Sequence, residues 1–275
     1  MNTNISENRA DILILLNASE GLLQVGLAEG HQVVAWREFE AAGQGAETLI
    51  PAVAEMLSAT GYERTQISRI ACVRGPGSFT GIRLALTTAF GLSRAISRPN
   101  GENPTLAGID YLPLLAASAL PQAREKSPEN LAALWVLTHA RRGQVNAQAF
   151  GLDAAPLSEP ETVSLIEAVS RIAVFSAAHT GAVALLGSGA TRNREELSHA
   201  LPQMLFLSEK YSHPSPAALL HLAEQAVYSH EPVVPFYLRP CDAEENLPGI
   251  AAGLGLDPQE AAEALKRLQS RICIC

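Results

Sequence analysis

A chain of 275 residues with 47% apolar residues is long enough to bury a sizeable core in one large or two modest domains. Only 17% of residues are charged and the mean hydropathy is +0.10, which excludes a disordered chain. The net charge of −8 and a pI of about 5.4 argue against a lone nucleic-acid binder, because neutralising phosphates takes clustered Lys and Arg. If RNA lies in its pathway, a partner must supply most of the positive surface.

The start, MNTNISENRADILILL, has no basic segment leading into a long apolar core and a small-residue cleavage site, so no signal peptide is expected. Apolar runs such as Ile12 to Leu16 are strand-sized, well short of the roughly 18 residues of a membrane span. The cysteines are Cys72, Cys241, Cys273 and Cys275, with no CxxC pair. Cys72 reads as a small core residue, and a reducing cytoplasm is the expected setting.

In chain order, Asp11 to Asn17, Leu22 to Gly30 and Gln32 to Glu40 read as three consecutive strands of an antiparallel meander. Gly43 to Gly45 breaks the pattern. Leu49, Val53, Met56 and Leu57 then fall on one helical face, and Gly61 ends that helix. Ile67 to Val73 reads as a fourth strand, Ser78 to Ile96 as a long helix, Thr105 to Gly108 as a short strand, and Tyr111 to Leu120 as a helix capped by Asp110. Pro121 to Asn130 reads as a linker.

Beyond it, Ala132 to Thr138 and Val145 to Phe150 form a hairpin around Arg141-Arg142-Gly143. Thr162 to Ile172 reads as a helix and Val183 to Leu186 as a strand running into Gly187-Ser188-Gly189-Ala190. Helices are expected at Arg194 to Ala200, Pro216 to Tyr228 and Pro258 to Ser270, with a short strand at Leu205 to Leu207. The order βββαβαβα in the first half and a second strand, Gly/Ser turn and helix in the other half suggest an α/β chain of two related domains. The expected divisions are residues 1–120, 121–240 and a tail, 241–275.

Arg74-Gly75-Pro76-Gly77-Ser78-Phe79-Thr80-Gly81 joins a strand to a helix. A helix start offers unpaired N–H groups and a positive dipole end, and glycines let backbone approach a phosphate. The loop is not a Walker A motif, since no Lys-Ser/Thr follows, and its glycines at 75, 77 and 81 do not fit GxGxxG. On the residues alone it reads more readily as a tight strand-to-helix turn with Ser78 as N-cap. In the helix that follows, Gly81, Ala85, Ala89 and Ser93 are small and spaced by four. They form a shallow ridge that would admit a second helix, flanked by Ile82, Leu86 and Phe90.

GPGSFTGIRLAL closely resembles the signature of the TsaB (YeaZ) family. The opening ILLNASEGLLQVGL, the hairpin THARRGQVNAQAF, Gly187 to Ala190 and Pro235-Phe236-Tyr237-Leu238-Arg239 resemble other family segments in the expected order. The resemblance spans about residues 11 to 240. It implies the two-domain actin/sugar kinase/Hsp70-like ATPase fold, built from ribonuclease H-like βββαβαβα units. It implies a role in N6-threonylcarbamoylation of adenosine 37 in tRNA, as a non-catalytic partner of a TsaD-type transferase, with a TsaE-type ATPase acting on the complex. The family pairs through first-domain helices and can homodimerise through the same face, so tRNA would be met only indirectly.

The implied partner interface comprises Glu47, Leu49, Val53, Gly81, Leu84, Ala85, Ala89 and Ser93. An implied nucleotide site, for ATP or ADP at a joint interface, would comprise Asn17, Ser19, Gly75, Gly77, Ser78, Thr80 and Gly81. Three departures from the family remove ionisable groups: Asn17 stands where Asp is usual, Gln44 to Leu49 lacks the His of His-Ser-Glu while keeping Glu47, and His139 replaces Asp. Asn is neither a charged hard-cation ligand nor a base. No catalytic or metal residue is expected: the histidines show no HxxxH or HExxH spacing, and Ser188 lacks a GxSxG context. Arg141-Arg142, Arg192 and Arg194 read as solvated turn charges, and Glu20 and Asp153 as surface carboxylates. The alternatives are an ATP-binding kinase or ATPase of the same fold and a glycoprotease-like peptidase.

Overall fold

The computed structural model describes residues 11–40, 45–127, 130–239 and 246–271. The breaker Gly43 and Gln44, the linker end at residues 128–129, Cys241, Cys273 and Cys275 lie outside the described residues. Two compact units divide the chain, Met1–Phe236 and Tyr237–Cys275.

The first unit holds two five-stranded sheets. The first contains β1 (Ile12–Glu20), β2 (Leu22–Glu29), β3 (Gln32–Glu40), β4 (Ile67–Gly75) and β5 (Thr105–Asp110), in the order β3-β2-β1-β4-β5. Gly21 and Gly30, both at positive φ, close the hairpin turns of the antiparallel meander, while β4 runs parallel to β1 and β5 parallel to β4. The second sheet contains β6 (Leu131–Arg141), β7 (Gln144–Phe150), β8 (Glu161–Ser164), β9 (Ala182–Leu186) and β10 (Leu205–Phe206). Its order is β10-β9-β6-β7-β8, with β7 and β8 antiparallel and β9 and β10 parallel. Read from the first strand of each half, the two orders are the same: third, second, first, fourth, fifth. The two halves thus carry the same mixed sheet.

Apolar residues on both faces of β1 require cover on both sides. On one face Ile12, Ile14, Leu16 and Ala18 pack with Leu49, Val53, Met56 and Leu57 of α1 (Gly45–Thr60) and with Ala85 and Ala89 of α2 (Phe79–Ala95). The other side is served by α3 (Tyr111–Lys126) and α7 (Pro216–Gln225): α7 packs on β1, β3, β5 and α3. In turn α3 touches β4 and β5 of one sheet and β6 and β7 of the other. The second sheet is covered by α4 (Leu165–Ala178), whose Leu165, Ala168 and Ile172 join Leu137, Val145 and Leu185 in a core, and by the short helices α5 (Ser188–Arg192) and α6 (Arg194–Ala200).

Residues 226–236 return to the first sheet. Leu106 and Ser229 exchange backbone hydrogen bonds of 2.7 and 3.0 Å, and the Phe236 N–H donates to the Arg74 carbonyl at 2.7 Å. The separate second unit contains α8 (Leu247–Gly253) and the expected terminal helix, α9 (Pro258–Arg271).

Three expectations are corrected. The segment Pro121 to Lys126 is not linker: α3 runs on through Pro121, and Ala123 remains buried. Asp110 takes the N-cap position without capping, because its carboxylate is held by Arg74, Nε to Oδ1 at 2.6 Å. Residues 162–164 are strand, paired to β7, and the helix begins at Leu165, where the Ser164 hydroxyl accepts from the Glu167 N–H at 3.2 Å.

Candidate functional site

The Gly-rich loop forms where β4 ends. Ser78 caps α2, its hydroxyl accepting from the Gly81 N–H at 3.3 Å, and the Ser78 N–H donates to the Ser19 carbonyl at 2.7 Å. Each loop glycine lies against the protein's own backbone. A Cβ at Gly77 would strike the Ser19 carbonyl oxygen, one at Gly81 the Ala18 carbonyl oxygen, and one at Gly75 the Phe236 carbonyl oxygen. Close approach is thus the reason for the glycines, and what approaches is the end of β1 and the returning segment at Phe236.

Asn17 is 1% exposed and internally satisfied. Its Nδ2 donates to Gln24 Oε1 at 2.8 Å and its Oδ1 accepts from the Ser19 N–H at 3.0 Å. Gln24 continues the line, donating to Glu38 Oε1 at 2.8 Å and to the Pro214 carbonyl at 2.9 Å. The structure therefore brings Asn17, Ser19, Gly75, Gly77, Ser78 and Gly81 together, with Thr80 exposed beside them. For a phosphate-bound metal ion the set offers no carboxylate and its Asn17 amide is engaged; the Cβ directions of its glycines are filled by backbone, while the buried Ser19 Oγ has no hydrogen-bond partner among the described residues. Among the described residues, no group of three or more His, Cys, Asp or Glu could hold a metal ion.

The small-residue ridge turns inward. Ala85, Ala89 and Ser93 are buried against the first sheet, the Ser93 hydroxyl donates to the Pro104 carbonyl at 2.7 Å, and Gly81 abuts Ala18. Leu49 and Val53 lie in the same core, and Leu84 packs at its margin. Of the expected interface residues only Glu47 is exposed. The physical reason is that i, i+4 spacing fixes which residues share a face, not which way the face points; here it lets α2 settle closely on β1 and β4. The exposed residues of α1 include Ile50 and Ala54 and those of α2 Thr87 and Gly91, with Phe79 stacked under the Arg83 guanidinium at 3.8 Å.

Glu20 is the residue sequence reasoning misplaced. It ends β1 and faces the second sheet, where the Ser188 hydroxyl donates to its Oε1 at 2.6 Å. Burial pushes its carboxyl up to about 7, against the hydrogen bonds from Ser188 and Tyr111 and the nearby Arg192 charge, which act the other way. Ser188 also accepts from the His139 N–H at 2.8 Å. Tyr111 Oη lies 3.4 Å from Glu20 Oε2 and 3.2 Å from the Ser212 carbonyl oxygen. The imidazole of His139 is held below its ordinary range by burial and then by the Arg192 charge. A charged residue at a strand end, beside the hairpin glycine Gly21, reads as surface, and no local signal marks the contact with Ser188. Asp153 is exposed, as expected.

Residues 40–155 match the family model described as TsaD: tRNA N6-adenosine threonylcarbamoyltransferase. That segment runs from the end of β3 through the Gly-rich loop and α2 to the β6–β7 hairpin. Among solved structures, YeaZ from Pseudomonas aeruginosa superposes with a TM-score of 0.64 at 23% identity, over 83% of this chain and 100% of that one. A structure described as an uncharacterized protein with similarity to peptidase YeaZ, also from Pseudomonas aeruginosa, gives 0.65 with the same identity and coverage. A search of curated proteins by sequence finds no significant match. A stretch of less than half the chain thus matches a TsaD family model, and the fold is similar to that of YeaZ. No described helix is long and apolar enough to cross a membrane.

Proposed function

We propose that this protein is a non-catalytic, activating subunit in the synthesis of N6-threonylcarbamoyladenosine at position 37 of tRNA. It binds a TsaD-type transferase and holds it in its active form, while a TsaE-type ATPase acts on the assembly; it meets tRNA through the complex, in the cytoplasm. The observation that carries the reading is the match of residues 40–155 to a threonylcarbamoyltransferase family model, in a chain whose Gly-rich loop is packed with its own backbone. A turn packed in this way has one evident use, which is to start α2 and so to fix, with α1, the surface the two helices expose.

That surface is the proposed partner face. Its exposed residues include Ile50, at 53%, and Ala54, Thr87 and Gly91, the last three small enough to let a partner helix approach. The same face serves a homodimer when the transferase is absent. Gly91→Glu places a charge there in open space. It is expected to abolish co-purification with the TsaD-type subunit while leaving thermal unfolding near that of the unaltered chain. Retained capture would overturn this face as the interface.

The wider reading is tested by mass spectrometry of tRNA after depletion of the chain, where threonylcarbamoyladenosine should be lost; unchanged levels would sink it. Calorimetry with Mg-ATP separates the scaffold from an ATP-dependent enzyme of the same fold. No stoichiometric binding is expected of the isolated chain.

A further inference from the structure

Five groups connect the two sheets in a line. From the second sheet, the His139 N–H on β6 donates to Ser188 Oγ on α5, and the Ser188 O–H donates to Glu20 Oε1 at the end of β1. On the far side, Tyr111 Oη, at the start of α3, stands between Glu20 Oε2 and the Ser212 carbonyl oxygen. Ser212 is buried and belongs to the short turn Glu209–Ser212, which contacts β9 and α5.

The count of protons along this line decides its state. Tyr111 has one O–H and two acceptors within reach. If Glu20 is ionised, the tyrosine either turns to the carboxylate and leaves the Ser212 carbonyl, or keeps Ser212 and leaves Oε2 with no donor. If Glu20 holds a proton on Oε2, that proton goes to the Tyr111 oxygen and the tyrosine proton goes to Ser212. The line is then continuous: His139 N–H to Ser188, Ser188 to Glu20, Glu20 to Tyr111, Tyr111 to Ser212.

We propose that Glu20 is a proton-dependent clasp between the two sheets, closed when its carboxyl is protonated and loosened when that proton passes to water. The groups facing it are Ser188 and Arg192 from α5, Tyr111 from α3 and the backbone of His139 from β6. Burial raises the carboxyl's pKa from 4.5 to about 7, outweighing the hydrogen bonds from Ser188 and Tyr111, the Arg192 charge and the His139 N–H, all of which favour the ionised form. The sign follows: the folded chain keeps a proton that the unfolded chain has lost above 4.5. The clasp's stabilising contribution is therefore full below 4.5 and is lost as pH rises through about 7.

The test is a carboxyl-carbon NMR titration of the full chain labelled at glutamate, with Glu20 assigned by the signal missing in Glu20→Gln. Amide exchange of residues 187–192 and 209–213 is followed at pH 6 and pH 8.5 after correction for intrinsic rates. A Glu20 midpoint near 7 is expected. Opening of these segments should be about tenfold more frequent at the higher pH. Glu20→Gln, whose amide oxygen accepts from Ser188 and whose N–H donates to Tyr111 without titrating, should stay closed at both. A midpoint near the ordinary carboxylate value overturns the proposal; the titration is read on the unaltered chain, and Glu20→Asp supplies the assignment if Glu20→Gln does not fold. A Glu20→Gln protein with the same pH response as the unaltered chain also overturns it. None of these outcomes depends on the transferase.

Discussion

The two strand–turn–helix devices, Gly75 to Gly81 after β4 and Gly187 to Ala190 after β9, stand at equivalent places in the two sheets. Both lay their glycines on the first strand of their own sheet: Gly77 and Gly81 on Ser19 and Ala18, Gly187 and Gly189 on Leu137 and Thr138. They differ in the serine that follows. Ser78 turns to its own backbone and starts a helix of 17 residues, whereas Ser188 starts one of 5 and reaches across to Glu20. One backbone device has thus been used to build a surface in the first half and a cross-sheet contact in the second. The glycines alone do not tell the two uses apart; the hydroxyl's partner does.

Substitutions at matched positions would sharpen or break this comparison. The largest effect belongs to Gly81→Ala, whose new methyl meets the Ala18 carbonyl with no flexible side chain to yield; about 3 kcal/mol of stability should be lost in urea unfolding. Gly189→Ala meets Leu137 and Thr138 backbone atoms at 2.9 Å and should cost less. Next, Ser188→Ala removes a donor to an enclosed carboxyl and the acceptor of the His139 N–H, for about 2 kcal/mol. Ser78→Ala loses only an exposed cap and should cost about 1 kcal/mol. Equal losses at the two serines would erase the distinction. The smallest change runs the other way: Gly91→Ala, mid-helix with nothing within 4 Å of the added Cβ, should raise stability by about 0.5–1 kcal/mol.

Much of the fold was legible because its signals are local. The strands β1 to β4 are apolar runs bounded by Gly21, Gly30 and Gly61, and the β6–β7 hairpin turns at Gly143, at positive φ. What sequence could not give was non-local. The helix α3 continues past Pro121 because packing against both sheets outweighs the missing N–H. The ridge Gly81, Ala85, Ala89 and Ser93 was legible as a close-packing face, but its partner is β1 and β4 of the same chain rather than another subunit's helix. Likewise, Glu20 and Ser188 lie 168 positions apart, and no periodicity reports a contact of that range.

The position of α7 has a consequence for how the chain is made. This helix covers the side of the first sheet opposite α1 and α2, yet it is encoded after the whole second sheet. On a ribosome, the first five strands and three helices emerge long before Pro216 to Gln225 can reach them. The nascent first half must wait with one apolar face unfinished, open to chaperones or to premature association. Completion of the first sheet and completion of the second therefore fall at nearly the same moment of synthesis. A stalled chain ending before Pro216 should be held by chaperones, and one ending at Phe236 should not.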